Sequence, residues 1–339
     1  PWAKRDIALY YSHESMLVST ALGTETRSYD VADSGPLHDY MFSRQGIMRI
    51  VESLLHQHDF VAPEQVVAGK LDGYRIVFLP RIVALSDAEV AALKAFAAKG
   101  GRIVADATPG VCDELGMKRP AAPFAPNEIT VLGENFDERL PESRRRVDEI
   151  LKAAKVAPVL ESPETEKLVG REAMRLTDGT NSLYVVLRMP GRSDDAASQT
   201  FSFAKEGYVT DLRAGKSLGR CRSLTTAVPS ADAACWSVCA GKATALSVDV
   251  PGTVSRGTDL KARLALKTVV GAAGTRLFAV TMIRPDGTTR FHLMRKLLAP
   301  DGRADFVFRM AFNDPAGTWT LRAEDVLTGL VAERTVTLE

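Results

Sequence analysis

The chain has 339 residues, enough for two or three domains, and its 43 lysines and arginines nearly balance its 42 aspartates and glutamates. The resulting formal net charge of +1 gives no indication of the clustered basic surface that nucleic-acid binding needs. No apolar run approaches the roughly 18 residues that span a bilayer. We therefore expect a soluble protein with neither nucleic acid nor membrane among its partners.

The chain begins Pro1-Trp2-Ala3, without an initiator methionine or a secretion signal. We therefore expect a processed fragment of a longer protein, whose missing part could hold an activity. The sequence leaves the cellular compartment open.

The first 160 residues alternate short apolar runs with segments of helical period. This alternation predicts a doubly wound, flavodoxin-like parallel sheet. The predicted strands are Asp6 to Tyr11, Asp59 to Ala62, Arg75 to Leu79, Ile103 to Ala105 and Ile129 to Leu132, and the predicted helices are Leu37 to His58, the segment from Ser86 to Gly100, and Pro141 to Lys155.

The clearest local signal is the strand-helix-strand unit from Tyr74 to Gly110. Ser86 is a good N-cap, and Glu89 stands three residues later at the capping-box spacing. Ligands of open α/β sheets collect beyond the carboxyl ends of the strands. The candidate binding residues at this edge are Ser12, His13, Arg81, Asp106, Thr108, Asp113 and Glu114.

After the segment Pro158 to Glu164, the period changes from helical to strand-like. We therefore predict three domains: an α/β domain over residues 1–160, a small antiparallel β domain over 161–245, and an immunoglobulin-like β-sandwich over 246–339. The turn signals Pro285-Asp286-Gly287 and Pro300-Asp301-Gly302 support the sandwich, because glycine supplies the positive φ that such turns need.

A catalytic nucleophile in the α/β domain would have to be Cys112. In a nucleophile elbow a second small residue follows the nucleophile, but Glu114 stands in its place. A cysteine nucleophile also needs a base, and no histidine lies between His58 and His292. We therefore predict no catalytic residue, although His13 could reach the same edge from the first strand.

Metal and cofactor sites are not predicted. His56 and His58 would diverge on the predicted helix, since facing pairs are three or four residues apart. The four cysteines show no zinc-like pairing and read as small buried thiols, while a disulfide between Cys221 and Cys235 or Cys239 stays open.

The run LPRIVALSDAEVAALKAFAAKGGRIVADATPGVCDELG and the first strand DIALYYS resemble the glutamine-amidotransferase-like trimerisation domain of family 42 β-galactosidases. The run EGYVTDLRAGKSLG is similar to the small β domain of such proteins, and FNDPAGTWTLRAEDVLTGLVAERTVTL to immunoglobulin- or macroglobulin-like modules. In that family a (β/α)8 barrel with two glutamates does the catalytic work. These 339 residues contain no such barrel, so we expect no catalytic residue to be carried over.

The resemblance implies the non-catalytic rear part of a glycoside-hydrolase-like protein. The expected partners are a neighbouring catalytic domain, further protomers of the chain in a homo-oligomer, and a saccharide. Two alternatives stay open: a saccharide-binding accessory module, and an amidotransferase- or hydrolase-like enzyme that uses Cys112.

Overall fold

The computed structural model describes residues 4–22, 36–133, 140–190 and 198–339. Within them the chain combines a parallel α/β layer structure with antiparallel β-sheets. The mixed α/β and all-β class predicted from the sequence is confirmed.

The α/β unit comes first in the chain. Its strands are β1 (Ile7–Tyr10), β2 (His58–Val61), β3 (Ile76–Leu79), β4 (Arg102–Ala105) and β5 (Thr130–Val131), and its helices are α1 (His13–Leu22), α2 (Pro36–Ser53), α3 (Pro63–Val67), α4 (Asp87–Ala98) and α5 (Pro141–Ala153). All strand pairs are parallel, in the order β2-β1-β3-β4-β5. This is the strand order of flavodoxin-like sheets.

Helices cover both faces of this sheet. One face buries Ile7, Leu9 and Phe78 against α2 and α5, and the other buries Ala8, Val77 and Leu79 against α3 and α4. Since β1 and β3 are buried at every position, their continuous apolar sequence is explained.

The capping box of α4 forms as predicted. The Glu89 backbone N–H donates to the Ser86 side chain at 3.2 Å, and the Glu89 carboxylate accepts from the Ser86 backbone N–H at 2.7 Å. The same carboxylate accepts a hydrogen bond from the Tyr10 hydroxyl, so the start of α4 is tied to the end of β1.

The middle sheet is antiparallel, with the order β6-β7-β10-β8-β9. Its strands are β6 (Arg171–Thr177), β7 (Ser182–Arg188), β8 (Gln199–Asp211), β9 (Lys216–Thr226) and β10 (Ala233–Cys239). Tyr184, Phe201, Phe203 and Trp236 form its aromatic core. The two runs predicted at 199–204 and 207–211 are one strand, with a register shift between Ser202 and Gly207.

Two sheets around a single apolar core form the last unit, the sandwich. Its strands are β11 (Ala243–Asp249), β12 (Thr253–Val254), β13 (Asp259–Thr268), β14 (Arg276–Ile283), β15 (Met294–Ala299), β16 (Arg303–Arg309), β17 (Gly317–Asp325) and β18 (Leu330–Leu338). The sheet orders are β11-β13-β16 and β12-β18-β17-β14-β15. Trp319 is fully buried in the shared core.

Polar contacts bind the middle sheet to the sandwich. Asn181 Nδ2 donates to the Ala273 carbonyl at 2.8 Å, and the Thr275 N–H donates to Asp178 Oδ2 at 2.6 Å. Nearby, Arg276 pairs with Asp325 at 3.3 Å, and both side chains are fully buried.

The structure differs from the sequence-based prediction at α1 and α2. Residues 13–22, for which no element was predicted, form α1 because Ser12 caps it: the Ser15 N–H donates to Ser12 Oγ at 2.9 Å. Helix α2 ends at Ser53 rather than at His58, and Leu55 adopts a left-handed φ of 60°. His56 therefore lies in a connection, and His58 begins β2.

Candidate functional site

The candidate site is the carboxyl edge of the parallel sheet, where β1, β3 and β4 end. Asp106 follows β4 and is only 5% exposed. One oxygen of its carboxylate accepts from the Arg81 backbone N–H at 2.7 Å and from the Ala107 N–H at 2.9 Å. The other oxygen accepts from the Ser43 hydroxyl on α2. The carboxylate thus ties the ends of two strands to a helix.

Helix α2 packs over this edge and bonds to the ends of β1 and β3. The Tyr40 hydroxyl donates to the Ser12 carbonyl at 2.9 Å, and the Arg81 guanidinium lies 3.4 Å from the Asp39 carboxylate. Ligands of such sheets bind where the strand order reverses, here between β1 and β3. At that position Tyr40 and Asp39 of α2 therefore bond to Ser12 and Arg81, the residues that follow the two strands.

Backbone strain marks the same place. Arg81 has a φ of 46°, a left-handed conformation that costs a residue with a side chain roughly 1–2 kcal/mol. The hydrogen bond from its N–H to Asp106 holds it there. Such strain clusters at functional sites, provided that surrounding contacts enforce it.

A guanidinium between two tyrosine rings lies beside this network. Arg44 on α2 stands 5.0 Å from the ring centre of Tyr11 and 5.7 Å from that of Tyr40. Burial raises the pKa of the Tyr40 hydroxyl, and the Arg44 charge partly offsets this rise. Tyr11 in turn makes an edge contact with Phe60, which is 46% exposed. Tyr40 is fully buried, so the aromatic surface here consists of the Phe60 ring and the half-buried Tyr11 ring beside the Arg44 cation.

The structure brings together some of the predicted site residues. The Arg81 backbone N–H is bonded to Asp106, and the Ser12 carbonyl is bonded to Tyr40 of α2, the helix that also supplies Ser43 to Asp106. His13 and Thr108 are exposed. We find no hydrogen bond that links either of these two side chains to the Asp106 carboxylate within the described part of the chain.

Asp113 and Glu114 belong to a separate turn. The Asp113 carboxylate accepts from the Leu115 N–H at 3.0 Å and the Met117 N–H at 2.8 Å, and Glu114 is exposed. These contacts are those of a loop that stabilises itself.

The sequence analysis did not identify the side chains of α2 that contact this edge. Asp39 with Ser43, and Tyr40 with Arg44, are each four residues apart and so share a helix face. That spacing was the available signal.

Cys112 lies in an apolar setting. Its side chain packs against Val18 of α1 and against Ala84, in a small buried cluster. Reactive thiols sit in electropositive, partly exposed surroundings, whereas buried apolar thiols are inert. The four cysteines, Cys112, Cys221, Cys235 and Cys239, are all free. No group of three or more metal-ligating side chains is placed to hold a metal ion in residues 4–22, 36–133, 140–190 and 198–339.

Exposed apolar side chains surround α1 and the loop that covers it. We call Leu17, Val111, Leu115 and Met117 the α1–loop patch. The loop is held against α1 because Cys112 and Gly116 both approach Val18. Leu115 is 83% exposed and Met117 is 67% exposed. Apolar side chains grouped in this way mark interaction surfaces.

Two grooves lie at the opposite, amino edge of the sheet. One, of about 350 Å³, is lined by the cations Arg75, Lys99, Arg102 and Lys155. The other, of about 460 Å³, continues beside β4. The carboxyl ends of α4 and α5 meet at the first groove, so these cations complement the negative ends of the helix dipoles.

The overall fold is similar to part of a known glycoside hydrolase. The GH42 β-galactosidase Gan42B from G. stearothermophilus matches with a TM-score of 0.51 and 11% identity, over 70% of this chain and 40% of that chain. An exo-carrageenase of GH42 from Bacteroides ovatus matches with a TM-score of 0.44 and 13% identity, over 70% of this chain and 29% of that one. No protein-family model and no curated protein matches the sequence.

At this level of identity the match to Gan42B shows a shared fold. The chain spans less than half the length of these solved structures. In the described residues, no helix is both long and apolar enough to cross a membrane.

Proposed function

We propose that this chain is the assembly region of a larger glycoside-hydrolase-like protein and that it does not itself carry out catalysis. In this proposal residues 1–160 are an amidotransferase-like domain without its nucleophile, 161–245 a small β domain, and 246–339 an immunoglobulin-like sandwich. The region packs against a neighbouring catalytic domain and joins protomers into a homo-oligomer. The fold shared with Gan42B over 40% of that chain supports this reading.

The observation that carries the proposal is the closed carboxyl edge. At this edge an enzyme of this fold would present polar side chains to a substrate. Here the side chains of Asp106, Tyr40 and Asp39 instead bond to other residues of the chain. Cys112 lies among apolar side chains instead of beside a base. Meanwhile the α1–loop patch offers apolar area to another protein surface.

Light scattering coupled to size-exclusion chromatography tests the assembly role. We expect the wild-type chain to elute with a multiple of its 36.7 kDa mass. Replacing two exposed members of the patch, Leu115→Ser and Met117→Ser, should shift the mass toward one chain. Leu298→Ser on β15, also an exposed apolar residue at 68%, is the matched control and should leave the mass unchanged.

A saccharide-binding accessory module is the second candidate. The favouring observation is the Arg44 guanidinium between Tyr11 and Tyr40, beside the exposed ring of Phe60. Aromatic faces with an adjacent hydrogen-bond donor suit the apolar and hydroxyl faces of a sugar. Calorimetric titration of galactosides should then give heat with wild type and none with Arg44→Ala. The absence of binding to the wild-type chain would remove this candidate.

A further inference from the structure

The connection between α2 and β2, residues 55–58, joins the α/β unit to the middle sheet, and we call it the joint segment. The Leu55 side chain leaves its own unit and is buried with Leu168 and Val186 in the middle-sheet core. Its carbonyl accepts from the Val159 N–H at 2.8 Å. Gln57 Oε1 accepts from the Arg175 N–H on β6 at 3.1 Å.

The left-handed backbone at Leu55 makes this reach possible. A φ of 60° turns the chain sharply after α2, so that Leu55 points into the other unit while His56 returns toward α5. The His56 N–H then bonds the Val51 carbonyl at 3.1 Å, which closes the end of the helix. Leu55 and Gln57 therefore hold the two units together, and His56 lies between them in the sequence.

Two imidazoles lie in this segment, one buried at His56 and one half-buried at His58. His56 is 4% exposed, its ring hydrogen-bonds to the Ala157 carbonyl, and its Nδ1 has no partner among the described residues. His58 Nδ1 is also buried and without a partner in the described part of the chain. Each ring thus has one nitrogen that a proton would turn into an unsatisfied buried donor.

The charges around the two rings come from three elements. Asp148 of α5 faces His56, while Arg5 before β1 and Asp59 of β2 face His58. Burial lowers the pKa of His56 from 6.5 to about 4, although Asp148 and the Ala157 carbonyl oppose the shift. Burial and the Arg5 charge lower the pKa of His58 to about 4, against the opposing effect of Asp59.

We propose that the joint segment is an acid-sensitive switch: Leu55 and Gln57 hold the middle sheet on the α/β unit while His56 and His58 are neutral, and protonation of these rings displaces the segment and releases the sheet. Protonation would place a charge and a donor without an acceptor inside the joint. The joint opens there because Leu55 and Gln57, which make its contacts, are the two neighbours of His56 in the chain.

The direction with pH follows from proton linkage. Between pH 6.5 and 4, His56 and His58 bind protons when the joint is open but not when it is closed. The closed joint is therefore fully stable above pH 6.5 and loses stability as the pH falls. For a shift of the pKa from 6.5 to about 4, the opening equilibrium of the joint rises about 30-fold per histidine between pH 7.5 and 5. Most carboxylates are still ionised in this window, since their ordinary pKa values lie near 4.

Hydrogen exchange on the full chain tests the switch through the amides of Val159 and Arg175. After correction for the intrinsic pH dependence of exchange, wild type should lose protection at both amides by about 30-fold or more between pH 7.5 and 5. His56→Gln keeps a side-chain N–H for the Ala157 carbonyl but does not titrate. The double variant with His58→Gln should therefore keep its protection, whereas exposed His292→Gln should behave as wild type.

A double variant that loses protection as wild type does would overturn the proposal. If the double variant does not fold, NMR titration of the histidine C2 protons of the wild-type chain measures the pKa of each ring and tests the switch directly. Two rings that stay neutral down to about pH 5 in the closed protein support the switch, and ordinary titration of both near pH 6.5 contradicts it.

Discussion

Replacing Asp106 tests whether the carboxyl edge is held by its own contacts. The carboxylate is 5% exposed and accepts three hydrogen bonds, from the Arg81 and Ala107 N–H groups and from the Ser43 hydroxyl. Hydrogen bonds to a charged group contribute about 1.5–3 kcal/mol each, and some of the freed donors will find water at the sheet edge. We therefore expect Asp106→Ala to lower the free energy of unfolding by about 3–4 kcal/mol.

A graded pair of variants separates charge from hydrogen bonding. Asp106→Asn keeps an acceptor for the two N–H groups, and the Ser43 hydroxyl can rotate to accept from the new amide, so we expect a loss of about 1–2 kcal/mol. Exposed Glu114→Ala is the control and should change stability by about 0.5 kcal/mol or less.

Urea unfolding followed by circular dichroism at 222 nm is the assay for this series. It reports the α/β unit, because all five α-helices of the described residues pack in that unit. A loss below about 1 kcal/mol for Asp106→Ala would refute the reasoning, because the edge would then be open to water and to ligands.

The remaining predictions concern the contact between the middle sheet and the sandwich, and the buried Arg276–Asp325 pair that joins β14 to β17 within the sandwich. Thermal unfolding followed by tryptophan fluorescence measures each of them. Gly274→Ala should destabilise by about 2 kcal/mol, because Gly274 has a φ of 62° and a Cβ would lie 2.4 Å from Asn181 Nδ2. Gly287→Ala, at a φ of 77° with open space around it, isolates the backbone cost and should lose only about half as much. Asp325→Ala should cost about 3–5 kcal/mol, because it leaves Arg276 charged and fully buried without its partner. A loss of stability smaller than that of Gly287→Ala would show, for Gly274→Ala, that the inter-unit contact contributes little, and for Asp325→Ala, that the buried ion pair contributes little.

The unit from β3 to β4 could be predicted from sequence because its signals are local. Ser86 and Glu89 form the capping box that their spacing indicates, and the apolar run ending at Leu79 is buried on both faces. The end of α2 could not be found in the same way. Apolar Leu54 and Leu55 continue the helical pattern, but Leu55 belongs to the core of another sheet and turns out of the helix to reach it.

The sequence could predict that Arg81 and Asp106 lie together at the carboxyl edge, but not which side chains bond to them. The rule that ligands bind beyond strand ends located Arg81 and Asp106. It could not show that Ser43 and Tyr40, which come from a distant helix, use up the polar groups there. The positive φ of Arg81 could not be predicted either, because arginine does not favour it. The conformation depends on the hydrogen bond from the Arg81 N–H to the Asp106 carboxylate.

The mass of the chain in solution, measured by light scattering across a range of concentrations, tests the assembly role most directly. The proposed function predicts a multiple of 36.7 kDa that falls toward one chain when Leu115 and Met117 become serine, with the Leu298→Ser variant unchanged. A constant mass of 36.7 kDa for wild type at every concentration would contradict it.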